Sequence, residues 1–230
     1  MKEFLSESVF WGAVLSLVAY EAGLLLKRKF KLAIFNPLLI AVAAIIAILV
    51  LGDIDYESYN EGAKYISYLL TPATVCLAVP LYQQLELLKK NAKAVASGLI
   101  AGVLSSLVGV LLLAKLFDLS HEHYVTLLPK SITTAIGMGI SEELGGIVTI
   151  TVAVIIITGI LGNMIGEVVL KLFQIKEPVA KGLAMGAASH AIGTAKAMEF
   201  GQIEGAMSSL AIAVAGLLTV LGASVFANFI

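Results

Sequence analysis

The chain has 230 residues, of which 59% are hydrophobic and only 13% charged, with a formal net charge of −1 and a mean hydropathy of +0.98. Soluble domains lie far below that apolar share, because a core of this size could not bury so much apolar surface. The 15 basic residues fall in clusters and do not form one basic face, so nucleic-acid binding has no electrostatic support.

A bilayer core about 30 Å thick takes roughly 20 apolar residues per crossing helix. The chain therefore reads as a single multi-pass membrane domain over residues 1–230. Its first residues, MKEFLSES, carry no basic n-region and no A-x-A-like cleavage site, which predicts that the first apolar stretch is retained in the membrane. About six spans are predicted, at about 9–26, 36–52, 64–88, 94–117, 145–170 and 203–229, with polar-spotted stretches at about 124–143 and 182–200. In the second span, Asn36-Pro37 has the form of an N-cap followed by proline at the first helical position; a ligand contact is the alternative. In the third, Pro72 and Pro80 predict either a kink or an unwound turn lining a site, where Thr71 and Thr74 satisfy freed carbonyls. Cys76, the single cysteine, reads as small buried filler.

Loop charge sets the orientation. Lys27, Arg28, Lys29 and Lys31 follow the first span, and Lys89, Lys90 and Lys93 follow the third. The loop between them carries Asp53, Asp55, Glu57 and Glu61 without a basic residue. The basic loops belong inside a cell inner (cytoplasmic) membrane and the N-terminus outside. Lys171, Lys176 and Lys181 also belong inside, which requires the stretch 124–143 to dip in and return as a re-entrant hairpin. Crossing as an ordinary helix, it would deliver them outside. Irregular backbone at membrane depth is tolerated only against protein or a water-filled cavity.

A displacement of 60 residues without a gap aligns Thr134–Gly162 with Thr194–Gly222, with identity at eight of 29 positions. Extended to whole units, 124–172 and 182–230, each copy is a hairpin plus one crossing. An odd number of crossings makes the copies inverted, the arrangement of many secondary transporters with broken helices. The expected fold class is thus all-α integral membrane: about six spanning helices plus broken or re-entrant segments around an inverted-repeat, secondary-transporter-like core.

Chemistry is expected where each copy begins. Lys130 precedes Thr134 by four residues, and His190 precedes Thr194 by four. On a helical turn that spacing puts cation and hydroxyl on one face. A charge within the membrane costs about 2.5–3.5 kcal/mol, so Lys130 and Lys196 need a function or a route to the interface by snorkelling. His190 reads either as a site residue or as a neutral packing residue. Broken-helix N-termini offer unpaired N–H groups to anions. The candidate substrate contacts are therefore Lys130, Ser131, Thr133, Thr134, His190, Gly193, Thr194 and Lys196, with Thr71, Thr74 and Asn36. Among the acidic residues after the breaks, Glu142, Glu143, Glu199 and Glu204, either all face water or one couples protons. His190, Glu199 and Glu204 are the proton-coupling candidates. No catalytic set, metal cluster or cofactor motif is read: Ser189 and His190 are adjacent and diverge on a helix, and His121-x-His123 lies in a loop. A passive channel fits the same residues as a carrier.

The segments Asn36–Ile40, YLLTPATVCLAVPLYQQ (Tyr68–Gln84), PKSITT (Pro129–Thr134) and SHAIGTAKAMEFGQIEGAMSSLA (Ser189–Ala211) resemble the LrgB family along most of the chain. Many members carry proline where this chain has Ala135. The resemblance implies a multi-pass membrane protein of antiholin-like type, linked to murein hydrolase export or cell death and working beside an LrgA-type membrane partner. It also implies relatedness to carriers of small organic anions such as glycolate, glycerate or pyruvate. A homodimer is a further expectation, with Gly98-x-x-x-Gly102 as a candidate packing motif and packing within the chain as its alternative.

Overall fold

A computed structural model describes residues 10–30, 35–76 and 78–230, and leaves the side chains of residues 70, 71, 74, 80 and 81 outside the description. All regular structure among the described residues is helical. In chain order the helices are α1 (Trp11–Phe30), α2 (Pro37–Gly52), α3 (Tyr56–Ser67), α4 (Leu70–Cys76), α5 (Ala78–Gln83), α6 (Leu85–Lys90), α7 (Ala92–Leu116), α8 (His121–Leu127), α9 (Thr134–Glu143), α10 (Val148–Leu172), α11 (Pro178–Phe200) and α12 (Gln202–Phe226), followed by a 3-10 turn, Ala227–Phe229. They group into two compact units, Met1–Cys76 and Leu77–Ile230.

In the first unit α1 packs against α2 and α3. Glycine permits the close crossing at Gly23, where a Cβ would stand 2.7 Å from the Pro37 carbonyl oxygen. The indole N–H of Trp11 donates to the Ser58 carbonyl at 3.2 Å, and Ser16 shares a 2.7 Å hydrogen bond with the Tyr59 hydroxyl. Asn36 caps α2, accepting from the backbone N–H of Leu38 and Leu39 at 2.9 and 3.2 Å. The N-cap reading of Asn36-Pro37 is the one its side chain follows.

The predicted span 64–88 is not one helix. A turn at Tyr68–Leu69 and a second at Gln84 divide it. The first falls one helical turn before Pro72, whose ring excludes the carbonyl four residues back and whose nitrogen cannot donate. Cys76 is exposed and not buried filler.

The second unit contains three helices long and apolar enough to cross a membrane, Ala92–Leu116, Val148–Leu172 and Gln202–Phe229; the shorter apolar helix Pro37–Gly52 belongs to the first unit. On α7 the buried residues Val95, Leu99, Val103, Leu107, Val110 and Ala114 recur every three or four positions, the spacing of one helix face. The upper part of that face joins Tyr124, Leu128, Ile132 and Ala215 in one core cluster, and the lower part joins Leu183, Met207 and Ala211 in another. The opposite face exposes Ile100, Leu104 and Leu112, as suits a lipid-facing surface.

Gly98 and Gly102 turn toward Leu183 and Ala187 of the same chain. Both remain exposed, at ordinary contact distance from those side chains. Gly182 and Gly186 allow α11 to lie directly on α12, since a Cβ at either would overlap the carbonyl oxygen of Glu204 or Ser208. Backbone approach of this kind, made by small residues, is the usual means of joining helices where no water drives their association.

Candidate functional site

Two helical hairpins meet on α10. The first is α8–α9, with its tip at residues 128–133. Pro129 packs beside Gly137 across the hairpin, while Thr126 stands near Ser141, so the two arms run in opposite directions. A knot of hydroxyls holds its base. Thr151 Oγ1 on α10 lies 2.7 Å from Ser141 Oγ and 3.0 Å from the Thr126 carbonyl, and Thr126 Oγ1 accepts from the Ile147 N–H at 2.8 Å. Each of these buried polar atoms therefore has a partner.

The second hairpin is α11 itself. Ser189 (φ −135°, ψ 16°) and His190 (φ 42°, ψ −136°) leave the helical region, and the chain doubles back there. Before the break, Gly182 faces Glu204 and Gly186 faces Ser208; after it, Thr194 pairs with Ser208 and Gly205 faces Met198. The register rises in one arm and falls in the other. Gly193 makes the reversal feasible, because a Cβ there would overlap the Met185 carbonyl oxygen. The positive φ of His190 is a strained conformation for a residue with a side chain. It is held by its own imidazole, whose Nε2–H donates to the Ile155 carbonyl at 3.0 Å.

The two tips occupy the positions aligned by the 60-residue displacement: Pro129-Lys130 in one, Ser189-His190 in the other. The displacement then changes, because α10 and α12 begin only 54 residues apart, at Val148 and Gln202. In the first copy residues 144–147 join hairpin to long helix. In the second the single residue Gly201 does so.

Between the tips, α7 and α10 lies a cleft of about 860 Å³. Lys130 and Ser131 enter it from the first tip, Ser189 from the second, Ser105 and Ser106 from α7, and Thr158 from α10. The Lys130 ammonium donates to Ser131 Oγ at 2.9 Å, and Ser131 shares a 3.2 Å hydrogen bond with Ser106. Among the described residues no carboxylate forms an ion pair with Lys130. Leu161, Ile165 and Leu183 supply apolar wall. Asn91 and Glu177 also border the cleft, so the part that suits a small anion with a planar, hydrogen-bonding head is the part beside Lys130, where the cation is surrounded by the hydroxyls of Ser106 and Ser131.

The remaining sequence candidates divide. Thr133 and Thr134 stand at the N-terminus of α9, half-buried, with no side-chain cap bond from Thr133. His190 is buried against α10 and directed to Ile155, away from the cleft lining. Thr194 is fully buried, donating to the His190 carbonyl at 3.0 Å and sharing a bond with Ser208 at 2.7 Å. Gly193 serves the hairpin turn.

Lys196 lies outside the cleft: its ammonium is 2.8 Å from Glu199 and 3.4 Å from Glu167, which itself pairs with Lys171. Glu199 is exposed beside it, as are Glu142 and Glu143. Glu204 is 8% exposed in the first turn of α12 and borders a smaller recess of about 360 Å³ with Lys171, Lys176 and Lys181. Asn36 belongs to the first unit and is occupied by capping. The side chains of Thr71 and Thr74 lie outside the described residues. His123 bonds Ser120, and His121 bonds the Ile230 carbonyl.

Sequence reasoning missed Ser105, Ser106, Thr158 and Ser189. The available signal was positional: Ser105-Ser106 falls at the middle of α7, and Thr158 near the middle of α10, each a helix of 25 residues.

The profile of the LrgB-like family matches residues 16–229. Proteins called antiholin-like protein LrgB from Bacillus mycoides (strain KBAB4), Bacillus cereus (strain B4264) and Bacillus anthracis (strain CDC 684 / NRRL 3495) are each 40% identical over 222 residues, covering 96% of this chain and 96% of theirs. No solved structure matches the chain significantly.

Proposed function

The chain belongs to the LrgB-like family, and from that premise we propose that it is an antiholin-like membrane protein restraining murein hydrolase export and lysis together with an LrgA-type partner. The observation that carries this reading is the 40% identity, sustained over 96% of both chains, to proteins of that name. Expression in a bacterium deleted for its own antiholin-like LrgB tests it. Lower murein hydrolase activity in the medium and slower autolysis are expected, and unchanged lysis with normal membrane expression contradicts it.

A second reading concerns how such a protein acts, and the cleft favours it. Small organic anions, monocarboxylates such as glycolate, glycerate or pyruvate, cross through the site formed by the hairpin tips. Unpaired Lys130 supplies the charge and Ser106 and Ser131 the hydroxyls. Saturable uptake of labelled two- and three-carbon acids into liposomes, with acceleration by unlabelled acid on the far side, is expected. Uptake no greater than into protein-free liposomes contradicts it, and uptake without trans-acceleration makes the protein a channel.

The accompanying topology is about six crossings of the cytoplasmic membrane with the N-terminus outside. The two hairpin-plus-helix units, 124–172 and 182–230, are inverted with respect to each other. Residue pairings support the inversion: Gly162 lies by Ser189 and Gly166 by Met185, so α10 runs against the first arm of α11, and that arm runs with α12. The protein performs no bond chemistry in this reading and needs no cofactor.

A further inference from the structure

Ser189 borders the cleft, and α10 accommodates the break in the chain behind it. On α10, Ile155, Gly159, Gly162 and Asn163 recur at spacings of four, three and one, and each meets a different part of the second tip. The Ile155 carbonyl accepts the imidazole Nε2–H at 3.0 Å. Gly159 leaves room for the ring, since a Cβ there would stand 2.7 Å from Cε1 and Nε2 of His190. A Cβ at Gly162 would overlap Ser189 Oγ itself. The Asn163 amide donates to the Ile192 carbonyl at 2.9 Å, two residues beyond the strained position.

These contacts have a common result. A residue at φ 42° persists only where its surroundings over-determine it. Here the over-determination comes from one face of one helix, since the imidazole and the Ile192 carbonyl are both tied to α10. The same helix brings Thr158 and Gly162 to the cleft wall, so the wall and the hydroxyl facing it are held by one element.

We propose that Gly159, Gly162 and Asn163 are positioning residues that seat the second hairpin tip and thereby hold the Ser189 side chain packed against α10 at the edge of the cleft. The assignment rests on the reading of the cleft as the working site, yet it concerns geometry and is testable without transport.

The test uses the full chain in proteoliposomes with Cys76→Ser, carrying either Ser189→Cys or Ser105→Cys, and the labelling rate with the water-soluble thiol reagent sulfonatoethyl methanethiosulfonate. Ser189 is 2% exposed, so its cysteine labels slowly while the seat is intact, whereas the exposed position 105 labels readily. Asn163→Leu and Gly159→Ala are each expected to speed labelling at 189 by about tenfold, the shift that follows loss of one buried hydrogen bond or its geometry, and to leave 105 unchanged. An unchanged rate at 189, or an equal rise at both positions, overturns the proposal. A reciprocal pair covers variants that fold poorly. Gly162→Ala lowers the thermal midpoint, and adding Ser189→Gly, which removes the atoms it meets, restores it; no recovery overturns the seat. Transport can be absent altogether without affecting either result.

Discussion

Replacing Lys130 by Met removes the ammonium while keeping most of the aliphatic stem, so packing around the tip changes little. In the structure the ammonium donates to Ser131 Oγ at 2.9 Å, and Ser131 connects to Ser106 at 3.2 Å. Among the described residues it has no carboxylate partner to leave unpaired, so the substitution strands no opposite charge. What is lost is the charge-assisted hydrogen bond to a bound carboxylate, worth about 1.5–3 kcal/mol. At about 1.4 kcal/mol per decade, apparent affinity falls by roughly ten- to a hundredfold. Ser106→Ala, which removes one neutral hydrogen bond, costs up to about tenfold. The assay is the concentration dependence of labelled glycolate and pyruvate counterflow in proteoliposomes, with thermal midpoints measured in parallel. Unchanged half-saturation for Lys130→Met, with wild-type expression, would remove Lys130 from the site and make it an interfacial lysine.

Three further outcomes follow from packing and hydrogen bonding. Gly182→Ala forces a methyl onto the Glu204 carbonyl oxygen and is expected to destabilise by about 1–3 kcal/mol, whereas Gly139→Ala, with nothing within 4 Å, is expected to stabilise α9 by about 0.5–1 kcal/mol; thermal unfolding in one detergent compares them, and equal effects would contradict the α11–α12 contact. Thr151→Val keeps shape but orphans Ser141 and the Thr126 carbonyl, a loss of about 1–3 kcal/mol in the same assay; wild-type stability would show that the hydroxyl knot does not hold the first hairpin. His190→Gln retains an N–H for Ile155, and because the imidazole faces that carbonyl and not the cleft, the pH profile of uptake should survive; a flattened profile would make His190 a proton-coupling group after all.

The all-helical class with long apolar helices could be read from residue types alone, because long apolar runs interrupted by polar spots mark helices and their breaks. Loop charge led to the expectation that residues 124–143 form a hairpin, and α8 and α9 run in opposite directions. Lys130 and Ser131 stood out as a cation and hydroxyl that an apolar segment does not tolerate without reason, and both line the cleft. Lys196 stood out equally but is paired with Glu199, three residues on, a partner helical spacing could have suggested, and with Glu167, 29 residues earlier, which no local pattern reveals.

His190 misled in a different way. Its spacing from Thr194 suggested a helical face, but the residue occupies a left-handed turn that local sequence would assign to glycine. The strain is sustained by tertiary contacts with α10, invisible in a local window. Ser105 and Ser106 were passed over because serine is common in apolar helices and only depth singles them out. In the predicted span 64–88 the break expected from Pro72 and Pro80 falls earlier than either proline, at the turn Tyr68–Leu69, and a second turn follows at Gln84. The 60-residue displacement places the two tips at matching positions and changes beyond them, because the arms after the tips end 57 residues apart, at Glu143 and Phe200, and the long helices begin 54 apart.

If small anions cross as proposed, the two hairpin tips border a water-reached cleft at mid-membrane depth. Nitroxide labels at Ser105→Cys and Ala188→Cys, two positions that border the cleft, test it in liposomes by power saturation with oxygen and with a water-soluble nickel chelate after Cys76 is replaced. A reference series along the lipid-facing side of α7, at Ile100, Leu104 and Leu112, calibrates depth. The account predicts that both labels lie at the level of Leu104 and yet collide frequently with the nickel chelate. Oxygen-dominated relaxation at that depth would mean a dry lipid-facing surface, and a headgroup-level position would place the tips at the interface; either result contradicts the account.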